Sequence, residues 1–189
     1  MAKKSIDIDI SNYPDVEFLS KDFISSKDIN TIIIKGHILI EHKLNEFINA
    51  NSLDNNKIEK LNFRFNDKIE IAGILGLYKN DKNLHKQLKL LNSLRNHIAH
   101  KLKYNPNELS MFLSSLNIPG INSFIKNPKN FEAIFKRNNI DIAKLPNEHF
   151  LFFTCIVFIY LNINTISTEL QFKKTNKDIK NQTEKNNQL

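Results

Sequence analysis

Helix-start signals recur along this chain, and they constrain its fold more than any other feature. Ser26, followed by Lys27, Asp28 and Ile29, can cap a helix running to about Ala50. Asp81 opens another. Asn105-Pro106-Asn107-Glu108 places a cap, a proline at the first helical position and a glutamate at the third. Asn127-Pro128 repeats the cap-plus-proline pair for a helix ending near Asn139, and Pro146 opens a last, strongly apolar helix through about Phe172. Between these starts the apolar residues fall three and four positions apart. Ile29, Ile33, Gly36, Ile40, Leu44, Phe47 and Ile48 make one stripe. Leu84, Leu88, Leu91, Ile98 and Leu102 make another, with Leu90 and Leu94 beside it. A helix starting near Asn66 or Asp67 carries Ile69, Ile71, Ala72, Ile74, Leu75 and Leu77. Gly73 and Gly76 inside it cost helix propensity, and predict close approach to a neighbouring backbone.

With 4 Gly and 5 Pro in 189 residues, the chain has few tight turns to connect many short strands, so a sandwich or barrel is a poor fit. The expectation is an all-α bundle over residues 26–172. An N-terminal arm, 1–25, precedes it, in which Ile6-Asp7-Ile8-Asp9-Ile10 alternates as a short strand or extended segment. A charged, Asn- and Gln-rich tail without periodicity, 173–189, follows and reads as disordered.

Charge permits a nucleic-acid partner without establishing one. The chain carries +7, of which the tail supplies +3: five Lys against Asp178 and Glu184. Its 28 Asn, 27 Ile and 24 Lys resemble the product of an AT-rich coding sequence, so lysine abundance says little. Arginine is the opposite case, with 3 in the chain, so the fork geometry of each one kept matters more. Cys155 is the sole cysteine, which excludes an internal disulfide framework and fits a reducing compartment. No secretory signal stands at the start, because Lys3 and Lys4 lead into the acidic alternation. Phe150 to Leu161 is almost unbroken apolar sequence, short of the roughly 20 residues that span a bilayer. It fits a buried helix better than a membrane tether, and a two-sided stripe there would leave one face for a partner. The expected location is cytoplasmic, with no membrane.

The chemistry gathers in Leu91 to Tyr104. Arg95 is followed at once by Asn96, and His100 lies one helical turn beyond Asn96 on the same face. Arg95 is about 140° round from His100 at roughly 100° per residue, but its side chain is long enough to converge. With an amide beside them, a guanidinium to hold a phosphate and stabilise charge and an imidazole to move a proton near neutral pH fit a phosphodiester site. The same residues also fit a buried Arg95–Asn96 network with His100 on the solvated face. His97, Lys101, Lys103 and Tyr104 stand close enough to serve as substrate contacts, and Glu41 could pair with Arg95 or act in the cleft.

The string Arg95-Asn96-x-x-x-His100, late in a bundle of about five helices, resembles the signature of the HEPN superfamily: Arg, four to six residues, then His. The stretch from Asp67 to Tyr78 and Leu39-Ile40-Glu41-His42 resemble the mannitol operon repressor branch of that superfamily, and the likeness runs over roughly Ile29 to Tyr104. It implies a homodimer whose motifs face each other across one basic cleft, and a metal-independent endoribonuclease of toxin or phage-defence type. In such chemistry the ribose 2′-hydroxyl attacks the adjacent phosphate, with His100 moving the proton, Arg95 stabilising the phosphorane and Asn96 holding Arg95 or a phosphate oxygen. The mannitol repressor branch implies an alternative, a non-catalytic regulator or scaffold that binds a protein partner or nucleotide. An antitoxin or regulatory protein is the partner expected besides RNA. Some HEPN toxins carry a modifiable Tyr two residues past the motif His; here that position is Leu102, and Tyr104 lies four past.

No cofactor is expected, and no metal. His97 and His100 are one turn apart, but a zinc site would need a third ligand from His37, His42 or Glu41, and no second spaced pair supports it. Cys155, between Thr154 and Ile156, reads as a small buried hydrophobe.

Overall fold

The computed structural model describes Ser26 and residues 28–52, 62–115 and 147–186. Five helices make up the described chain, with no strand among those residues: α1 (Ile29–Asn51), α2 (Phe65–Ile74), α3 (Lys82–Lys101), α4 (Pro106–Ser114) and α5 (Asn147–Asn186). The all-α expectation holds. The N-terminal alternation and the helix expected from Asn127 to Asn139 lie outside the described residues.

Local chemistry sets the helix starts. Asp28, not Ser26, caps α1: its carboxylate accepts the backbone N–H groups of Asn30 and Thr31 at 3.1 Å each. Ser26 stands two residues further out, its hydroxyl accepting the Asp28 N–H at 3.3 Å. Asp81 caps α3 through the N–H groups of Asn83 and Leu84, and Asn105 caps α4 ahead of Pro106. α2 begins at Phe65, with the Asp67 carboxylate reaching back to the Arg64 N–H at 3.1 Å.

α1 is the central helix, bordered by α2, α3 and α5. Its buried stripe is the expected one from Ile33 to Ile48, widened by Ile32, Leu39 and His37. Gly36 is where α5 comes closest. A Cβ there would stand 2.9 Å from Phe152 and 3.0 Å from Ile156. α5 is buried on every side from Phe152 to Val157, as a helix apolar all round must be. It is also, among the described residues, the one helix long and apolar enough to cross a membrane, and 56% of its apolar 18-residue window within Glu148–Asn176 is buried inside this fold. Cys155 is buried there, and burial pushes its thiol well up, as a small core hydrophobe requires.

Three expectations need correction. α5 does not stop at Phe172 but continues to Asn186: no Gly or Pro interrupts Asn147–Asn186, and Lys, Gln and Glu are good helix formers. Ile74 ends α2 85% exposed and takes no part in its buried face. Gly73 and Gly76 do not admit a neighbouring backbone. Gly76 turns the chain with φ +97°, and Gly73 lies against the Tyr78 ring, 3.0 Å from where a Cβ would stand.

Candidate functional site

α3 runs antiparallel to α1, so its last two turns lie beside the first half of α1. Leu84, Leu88, Leu91 and Ile98 form its buried seam, and Arg95 falls in register with them. Yet Arg95 is exposed, as is Ala99 one turn on. A cation therefore stands at the edge of the seam where the apolar pattern calls for a core residue, while Leu91, Leu94 and Ile98 around it are buried.

Arg95 Nη1 donates to Asn96 Oδ1 at 3.2 Å. Asn96 and His97 are half-buried, whereas His100, Lys101 and Lys103 are exposed. Among the described residues no ion pair engages Arg95, Lys101 or Lys103. Within one chain no hydrogen bond joins Arg95 to His100, whose directions from the helix axis differ by about 140°. Tyr104 is half-buried against the core, and its backbone N–H reaches Asn30 Oδ1 at 2.8 Å.

The end of α3 is unusual. Leu102 closes the helix in the left-handed region, φ 55°, with its N–H donating to the Ile98 carbonyl at 2.8 Å. Its side chain is 86% exposed, so it does not extend the apolar face that the spacing predicted. Glycine is the usual residue for that conformation.

Glu41 does not pair with Arg95. It bonds Lys68 Nζ at 2.6 Å and lies 3.9 Å from His37 Nδ1. Around that pair sits a polar cluster that sequence reasoning passed over. His37 is 4% exposed, its ring 4.1 Å from that of Phe65, and its Nε2 is buried without a hydrogen-bond partner. Burial foremost holds the imidazole pKa down to about 4; the charges of Arg95 and Lys68 add to this, while Glu41 and the Asn92 side chain pull the other way. The signal was present: His37 interrupts the apolar stripe between Ile33 and Ile40, and Asn92 stands one turn before Asn96. His42 lies apart, exposed, 3.6 Å from Glu46. Among the described residues no three His, Cys, Asp or Glu side chains converge as a metal site would require.

Comparison with known proteins gives no match: no family model, no curated protein and no solved structure corresponds to this chain.

Proposed function

We propose that this chain is a HEPN-like, metal-independent endoribonuclease whose site is completed by a second copy across the open end of α3. The observation that carries the reading is the state of Arg95: an exposed guanidinium on an otherwise apolar seam, braced by Asn96 and free of any acidic partner among the described residues. A cation left unneutralised beside His100, Lys101 and Lys103 is suited to a phosphate.

Arg95 and His100 diverge within one chain, and a second copy supplies the missing juxtaposition. Attack of a ribose 2′-oxygen on the adjacent phosphorus transfers the hydroxyl proton to one His100. The 5′-oxygen leaves with a proton from the other, giving a 2′,3′-cyclic phosphate and a 5′-hydroxyl. Arg95 stabilises the doubly charged phosphorane between these steps. Lys101 and Lys103 contact neighbouring phosphates, and His97 and Tyr104 stand at the margin of the site.

The test is cleavage of total RNA by purified protein in EDTA. His100→Ala and Arg95→Ala each lower the rate by about 10²-fold or more, and, both residues being exposed, change stability by less than about 0.5 kcal/mol. A well-folded dimer that cuts no RNA would transfer the assignment to the regulator or scaffold reading.

A further inference from the structure

α1 begins at the end of the bundle where α3 finishes. Tyr104, directly after Lys103, donates its backbone N–H to Asn30 Oδ1 at 2.8 Å, so the cationic end of α3 lies beside the first turn of α1. α3 holds no Asp or Glu from Lys82 to Lys101, and His100, Lys101 and Lys103 are exposed together with Arg95. Apolar side chains stand in the same quarter. Asn30, Ile34 and Ile38 are spaced four apart along one side of α1, and Ile34 and Ile38 are 38% and 58% exposed. Leu102, at the end of α3, is also exposed. Phosphates would answer the cations of this face but leave its isoleucines in water.

The segment that joins α1 at this end has the complementary chemistry. Residues 1–25 lie outside the described residues. In their sequence Asp7, Asp9, Asp15, Glu17 and Asp22 stand against Lys21 over 5–25, a net −4 in a chain of +7. Ile6-Asp7-Ile8-Asp9-Ile10 has the alternation that, in an extended chain, sends isoleucines to one side and carboxylates to the other. Its length suffices. The nine residues from Ser26 back to Glu17 span up to about 30 Å, and Arg95 is about 10 Å along α3 from Leu102. A segment tethered beside its target competes for it at an effective concentration on the order of millimolar.

We infer that residues 5–25 dock on this face as an acidic strap, with carboxylates on Arg95, Lys101 and Lys103 and isoleucines over Ile34 and Ile38, and that RNA must displace it. The inhibitory consequence rests on the ribonuclease reading; the docking itself does not.

A nitroxide label on Ser11→Cys of the full-length protein tests the contact, since Cys155 is buried and leaves the introduced thiol to take the label. Amide signals of Ile34, Ile38, Ala99 and Lys101 are expected to broaden, while that of Lys82, at the far end of α3, stays sharp. Replacing the five acids by their amides removes the broadening. Lys101→Glu with Lys103→Glu removes it from the other side, and keeps the test open where the first variant fails to fold. Broadening centred on another face, broadening that survives both variants, or broadening that passes to an unlabelled copy mixed with the labelled one overturns the proposal. On RNA, the amide variant lowers KM about tenfold with kcat nearly unchanged, as release of a competing anionic segment requires. If neither wild type nor amide variant cuts RNA, the ribonuclease reading falls and the spectra still decide the docking.

Discussion

Tyr104 donates its backbone N–H to Asn30 Oδ1 at 2.8 Å, joining two residues 74 positions apart in the chain. Asn30 is the second residue of α1, and its amide nitrogen is itself held by the Asp28 cap at 3.1 Å. The bond therefore ties the strand of chain leaving α3 to a capped, rigid helix start, and fixes the turn that follows His100. Removing the acceptor leaves a half-buried N–H unpaired. Asn30→Ala is expected to cost about 1–2 kcal/mol. Hydrogen exchange at Tyr104 should rise by more than that global loss explains, because the end of α3 opens locally. Equal protection of Tyr104 in both proteins would count against the tie.

Acid should destabilise the fold through His37. Its folded pKa lies near 4 against an ordinary 6.5, so between these values the unfolded chain binds a proton that the native state refuses. The contribution is complete above pH 6.5 and is lost as pH falls toward 4, for a total of roughly 3 kcal/mol. His149 is shifted the same way by burial and adds to the slope. A comparison of wild type with His37→Gln isolates the first group: urea melts at several pH values should show the variant less sensitive across this window.

Gly36 marks the tightest approach of α1 to α5. Gly36→Ala gains about 1 kcal/mol of helix propensity, but drives a methyl group to within 2.9 Å of Phe152 and 3.0 Å of Ile156. Both neighbours are fully buried and have nowhere to yield. The net expectation is a loss of about 1–2 kcal/mol in chemical denaturation. A stabilised Gly36→Ala protein would mean that α5 can move away from α1 without penalty.

Leu102 supplies the opposite case. It adopts a left-handed conformation that favours glycine, with a side chain that buries almost nothing. Leu102→Gly is expected to raise stability by about 0.5–1 kcal/mol, with a matching rise in midpoint denaturant concentration and no change in its slope.

What the sequence disclosed follows the range of each interaction. Asp81 and Asn105 were readable as caps because a cap and the N–H groups it serves lie within three residues. The Arg95–Asn96 contact was readable because the partners are adjacent. His37 and Lys68 were not, since their meaning depends on α1, α2 and α3 coming together, and Glu41 found Lys68, 27 residues away, in place of Arg95. Ile74 and Leu102 misled for a related reason: both extend a helical spacing of apolar residues to a helix end, where the fold has no neighbour for them. The far part of α5 was lost to composition, since a run rich in Asn, Gln and Lys carries no apolar period yet contains nothing that stops a helix.

That length of α5 bears on how the molecule moves through solution. Leu170 is the last of its side chains packed on the core, beside Gly76, and Gln171 to Asn176 are exposed. The sixteen residues from Gln171 to Asn186 make a spar of about 24 Å, on a helix of about 60 Å in all. A 22.0 kDa chain so shaped meets more friction than a sphere of equal mass, so even a single copy leaves a sizing column early. Light scattering, which weighs particles irrespective of shape, is the measurement that separates one copy from two.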